Sequence, residues 1–156
     1  MRVLFVCTGN TCRSAMAEAI ALRLAAERGL VDVEFGSAGT AATERAPASD
    51  GALLVCLERR TDLSGHTARV LTRELIAQYD LLLGMGPHHV ERIEELGGGG
   101  KAHLVTSYAS RGAIDRPIAD PFGGELDQYR ETYLELEREL ERVLDRLAAE
   151  RSPGVS

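Results

Sequence analysis

The sequence predicts an α/β fold: a single domain with a four-stranded, mostly parallel sheet and helices on both faces. Three observations lead there. Short apolar runs of strand character alternate with longer segments whose apolar residues recur every three or four positions. Turn and stop residues such as Gly29 and the Gly97–Gly100 run separate those segments. The chain is 156 residues long, enough for one core, and shows no internal repeat or dividing linker.

Taken in order, Arg2–Val6 is a short apolar strand buried on both sides. Ser14–Arg28 is an alanine-rich helix with Ser14 in its N-cap region and Gly29 as its stop. Met16, Ile20 and Leu24 give that helix a core-facing stripe. Val33–Ser37 is the second strand, followed by a turn at Gly39. Pro47–Arg59 is a helix with proline near its start and Leu53, Leu54 and Leu57 turned inward. Tyr79–Leu83, closed by Gly84, is the third strand, and Pro87–Leu96 a short helix. Ala102–Thr106 is the fourth strand, and residues 107–124, with Gly112, Pro117, Pro121, Gly123 and Gly124, form a long loop. Glu125–Glu150 is a long helix. Its stripe of Leu126, Tyr129, Tyr133, Leu136, Leu140, Val143 and Leu147 packs on the sheet rather than in a coiled coil. Residues 1–150 thus form the domain, and 151–156 a frayed tail.

Composition narrows the function classes. With 18 basic and 24 acidic side chains the net charge is −6, which argues against a general nucleic-acid binder. No apolar run is long enough to cross a membrane, and the N-terminal one is too short for a signal peptide, so a cytoplasmic protein is expected. Three cysteines make no disulfide framework and read as thiols of a reducing compartment.

In such a fold ligands bind at the carboxyl ends of the strands. Cys7-Thr8-Gly9-Asn10-Thr11-Cys12-Arg13-Ser14 leaves the first strand at that edge and enters the first helix. A free thiol titrates near ~8.5, so a nucleophilic cysteine needs surroundings that favour the thiolate. A helix N-terminus and an arginine supply them, and the same groups bind a phosphate dianion. Gly9 permits close backbone approach, and Asn10 tolerates the left-handed conformation of an anion-binding nest. Ser14 lies within reach of the Cys7 sulfur. Phosphoryl transfer onto Cys7 also needs an acid for the leaving group. Asp120, in Asp120-Pro121-Phe122-Gly123-Gly124, sits in the long loop at the same edge, with Asp115 a second candidate. Cys56, on an apolar helix face, is expected in the core.

The stretch Val6–Ser14, together with Asp120-Pro121-Phe122, resembles the low-molecular-weight protein tyrosine phosphatase family. Phe35-Gly36-Ser37-Ala38-Gly39, Asp62-Leu63-Ser64-Gly65-His66-Thr67-Ala68-Arg69 and Asp80-Leu81-Leu82-Leu83-Gly84-Met85 are similar to family segments in family order, so the resemblance spans about residues 1–147. It implies the strand order 2-1-3-4. It implies Cys7 as nucleophile, Arg13 as phosphate clamp, Asp120 as acid and then base, and Thr8, Gly9, Asn10, Thr11, Cys12 and Arg13 as the phosphate-binding loop. Asn10, Ser14, Ser37 and His66 would brace that loop. Cys12, five positions from Cys7, would protect it through a reversible disulfide. No metal or cofactor is called for. The implied partners are phosphorylated protein substrates, with inorganic phosphate as product, and neither nucleic acid nor membrane; a monomer is expected.

Two positions bear on the substrate. Thr11 stands where the phosphotyrosine enzymes commonly have isoleucine, and Phe122-Gly123 where they often have two aromatics. Both features resemble the protein arginine phosphatase branch. A phosphoguanidinium is flat, polar and rich in N–H donors, so a threonine hydroxyl and a carboxylate suit it better than hydrocarbon walls. Phosphotyrosine is the alternative substrate. An arsenate-reductase-type oxidoreductase is remote, because no cysteine follows Cys56 to relay a disulfide. A non-catalytic phospho-ligand module is also remote, because both Cys7 and Asp120 are present. A zinc site from Cys7, Cys12, His88, His89 and His103 lacks ligand spacing.

Overall fold

A computed structural model describes residues 1–151. Its strands are β1 (Arg2–Cys7), β2 (Glu34–Gly39), β3 (Leu81–Gly84) and β4 (Ala102–Leu104). Its helices are α1 (Arg13–Arg28), α2 (Asp50–Glu58), α3 (Arg73–Ala77), α4 (Pro87–Ile93), α5 (Val105–Ala109) and α6 (Leu126–Glu150), with a π-turn over Glu94–Gly98. The strands form one sheet, all parallel, in the order β2-β1-β3-β4.

β1 lies inside the sheet, which is why its residues are apolar on both sides. Val3 and Phe5 join one core with Met16 and Ile20 of α1, Val55 of α2, Tyr108 of α5 and the stripe of α6. Leu4 and Val6 join the other with Leu75 and Ile76 of α3 and Ile93 of α4. The alternation along one strand therefore places helices on both faces. From Tyr129 to Leu147 the α6 stripe is buried as predicted, and Gly29 closes α1 at a φ of 67°.

Several boundaries and one face differ from the sequence expectation. β2 runs on to Gly39, which pairs with Cys7 instead of turning. A β-carbon there would stand 2.4 Å from the Thr8 carbonyl, so glycine permits the approach of β2 to the loop that follows β1. α2 starts after Ser49, whose hydroxyl accepts from the Ala52 N–H. Pro47 instead pairs with Thr67 in an isolated bridge. Leu54 and Leu57 do not turn inward: they are 50% and 76% exposed, while Ala52, Val55 and Cys56 are buried. β4 ends at Leu104, and Thr106 lies in α5, where its hydroxyl bonds both the carbonyl and the N–H of Arg116. That pair pins the start of a loop shorter than expected. The short helix α3, capped by Thr72, has no apolar period long enough to announce it. The expected tail, past Arg151, lies outside the described residues. No helix among the described residues is long and apolar enough to cross a membrane.

Candidate active site

The chain leaves β1 at Cys7 and enters α1 at Arg13, so residues 8–12 must turn within five positions. Asn10 makes that turn with a φ of 57°, a conformation a side chain tolerates only with local support. The support is explicit. Asn10 Nδ2 donates to Ser14 Oγ at 2.8 Å, and Asn10 Oδ1 accepts from the Arg69 N–H at 3.0 Å. His66 Nε2 donates to the Asn10 carbonyl at 2.6 Å. Ser14 is not a cap, since Cys12 occupies that position without a side-chain bond. Its hydroxyl instead lies 2.9 Å from Cys7 Sγ and 3.4 Å from the Ala38 carbonyl.

Arg13 is 6% exposed. Its Nη1 donates to the Ile118 carbonyl at 3.1 Å, and its Nη2 stands 3.4 Å from Asp120 Oδ2. The arginine thus ties the start of α1 to the loop before α6. Asp120 itself is shaped by a local turn in which Oδ1 accepts from the Phe122 N–H. Cys7, Thr8, Gly9, Thr11, Cys12, Arg13, Asp120 and Phe122 line one cavity of about 170 Å³. A larger hollow of about 430 Å³ beside Leu53, Leu57 and Leu63 holds no cysteine. Asp115 is exposed and does not line the cavity.

One predicted residue, Ser37, sits differently from its expected setting. The Ser37 hydroxyl donates to Glu18, and only its carbonyl serves the loop's support, by accepting from Arg69 Nε at 2.9 Å. Cys12 Sγ is 3.2 Å from Ser49 Oγ and 3.7 Å from the Tyr129 hydroxyl, and all three cysteines are free thiols. Cys56 is buried as expected, and burial pushes its thiol up to about 12, which leaves it inert. Among the described residues no group of three or more metal-ligating side chains converges.

Sequence reasoning missed Arg69, Ser49, Tyr129 and His89 as residues of this site. His89 is fully buried; its Nδ1 accepts from the Gly86 N–H at 3.0 Å and its Nε2 faces Thr8 Oγ1 at 2.9 Å. Burial first, then the neighbouring His88 and Arg13, hold its imidazole neutral, down to about 3. The paired His88-His89 in the sequence was weighed only as part of a zinc site and set aside for lack of ligand spacing.

The chain is similar to known proteins over nearly its whole length. Residues 2–153 match the family model described as low molecular weight phosphotyrosine protein phosphatase. A protein-arginine-phosphatase of Bacillus subtilis is 36% identical over 97% of this chain and 99% of its own. A low molecular weight protein-tyrosine-phosphatase, PtpB of Staphylococcus haemolyticus, is 36% identical over 87% of this chain and 92% of its own. Among solved structures, a YwlE arginine phosphatase mutant with a phosphorylated active-site serine superimposes with a TM-score of 0.90 at 35% identity, covering 97% of this chain and 98% of that one.

Proposed function

The chain belongs to the low-molecular-weight phosphotyrosine protein phosphatase family, and from that premise we propose that it removes phosphate from phosphoarginine in proteins through a cysteinyl-phosphate. One observation carries the chemistry. A thiol, a buried guanidinium and a carboxylate over a hundred residues away in sequence meet at one small cavity.

Cys7 Sγ attacks phosphorus in line while Arg13 and the loop N–H groups hold the equatorial oxygens. The P–N bond breaks as Asp120 gives its proton to the departing guanidino nitrogen, which yields arginine. Asp120 then takes a proton from water, the water oxygen attacks phosphorus, and the S–P bond breaks. Inorganic phosphate leaves and the thiolate returns. Ser14, bonded to both Cys7 and Asn10, steadies the sulfur and the turn together. Asn10 and His66 brace the loop from the β2 side.

Thr11 supports the arginine assignment, because it places a hydroxyl on the cavity wall where a phenyl ring would meet hydrocarbon. The names of the Bacillus subtilis and Geobacillus stearothermophilus relatives point the same way. Phosphotyrosine is the second reading, favoured by Phe122, a 75% exposed aromatic at the cavity that can lie against a ring. The discriminating experiment is turnover on matched phosphoarginine and phosphotyrosine peptides by wild type and Thr11→Ile. Wild type should prefer phosphoarginine, and Thr11→Ile should move the preference toward phosphotyrosine. A wild-type preference for phosphotyrosine that Thr11→Ile leaves unchanged would refute the arginine reading. The protein is read as a cytoplasmic monomer acting on protein substrates.

A further inference from the structure

The Thr8–His89 contact has a fixed polarity. The Gly86 N–H donates to His89 Nδ1, so that nitrogen is the bare one. A neutral imidazole then carries its proton on Nε2, and that nitrogen can only donate. Thr8 Oγ1, 2.9 Å away, is therefore the acceptor, and the hydroxyl proton of Thr8 is left for another partner. Thr8 is exposed and lines the same cavity as Cys7, Arg13 and Asp120. Arg13 offers only donors there, and the leaving side of a phosphoguanidinium offers only N–H groups. The acceptors that a substrate brings into this cavity are its phosphoryl oxygens.

We infer that His89 is a positioning residue for the dephosphorylation: it holds the Thr8 hydroxyl as a fixed donor to a phosphoryl oxygen of the bound substrate. The inference rests on the phosphatase reading above. His89 suits the task because it is anchored in α4 immediately after β3 and is fully buried, so its ring cannot follow solvent. Burial and the nearby His88 and Arg13 keep it from becoming an imidazolium, so the relay keeps one polarity across the working pH range.

A double-mutant cycle tests this, with p-nitrophenyl phosphate as substrate and orthophosphate as competitive inhibitor. Thr8→Val should lower kcat/KM and weaken orthophosphate inhibition about tenfold, the scale of one hydrogen bond to a charged acceptor. Thr8→Ser should retain both. His89→Ala should lose a similar factor alone and nothing further in the Thr8→Val background. Losses that multiply would assign His89 a general packing role and overturn the inference. So would a Thr8→Val enzyme equal to wild type, a result that needs no His89 variant to fold. Failure of the underlying reading shows separately, as Cys7→Ala turnover equal to wild type, and would remove both.

Discussion

Asn10 shows how much structure the single turn between β1 and α1 demands. Its left-handed backbone is held by partners from α1, from the segment after α2 and from the strand-like stretch at Arg69. Arg69 in turn reaches the Ser37 carbonyl and the Tyr79 hydroxyl. Asp120 is the opposite case: it is half exposed and held by its own Asx turn and by Arg13. Its side chain is thus tied to the fold by few contacts. Asp120→Asn should therefore lower kcat by about 10²–10⁴-fold, the usual worth of a positioned acid, while orthophosphate still inhibits. Turnover equal to wild type in steady-state assays would remove Asp120 from the mechanism. The residues proposed to act on phosphate were legible because their chemistry is local: Cys7, Gly9, Asn10 and Arg13 lie in one short run. Thr8–His89 and Asn10–Arg69 were not, since each joins groups far apart in sequence, and neither position carries a distinctive pattern.

At the scale of elements, the α2–α6 contact explains both a misread face and the setting of Cys12. Leu53, Leu54 and Leu57 have helical spacing, and hydropathy alone turns them inward. Only Leu53 packs partly against the core; the helix otherwise presents Ala52, Val55 and Cys56, because small side chains let it lie close to α6. Gly51 is the tightest point: a β-carbon there would stand 2.6 Å from the Tyr129 ring. That closeness brings Ser49 and Tyr129 to the Cys12 thiol, and the Ser49 N–H to the Thr11 carbonyl at 3.0 Å. Gly51→Ala should destabilise by about 1–3 kcal/mol through overpacking, despite the better helix propensity of alanine. Leu57→Gln, on the exposed side, should stay within about 0.5 kcal/mol of wild type. Urea midpoints decide: a larger loss for Leu57→Gln than for Gly51→Ala would return the leucine face to the core. The α6 stripe was legible for the contrary reason. Its seven apolar positions keep one spacing of threes and fours from Leu126 to Leu147, and no small-residue face competes with it.

For the whole molecule, parallel topology was readable from the alternation of elements, and β1 from its unbroken apolar run. The joint between the two faces was not readable, because it runs through a buried polar side chain. His89 lies on the α4 side of the sheet and bonds the loop that leads into α1 on the other. Keeping it neutral has a consequence for acid stability. Its folded pKa is depressed from 6.5 to about 3, first by burial. Below pH 6.5 the unfolded chain takes up a proton that the folded chain refuses. The contribution of His89 is therefore fully present above pH 6.5 and is lost as pH falls toward 3, at up to about 1.4 kcal/mol per pH unit. His103, depressed first by its own burial and then by Arg146, has the same sign and persists in a His89 variant as a common background. Between pH 7 and pH 5 the wild type should lose about 2 kcal/mol more stability than His89→Gln, read as the change in urea midpoint for each protein. The comparison is between slopes, so any pH-independent loss from placing an amide at position 89 cancels. Parallel slopes would mean that the folded protein protonates His89 as readily as the unfolded chain does, and the joint between the sheet faces would then have to open in mild acid.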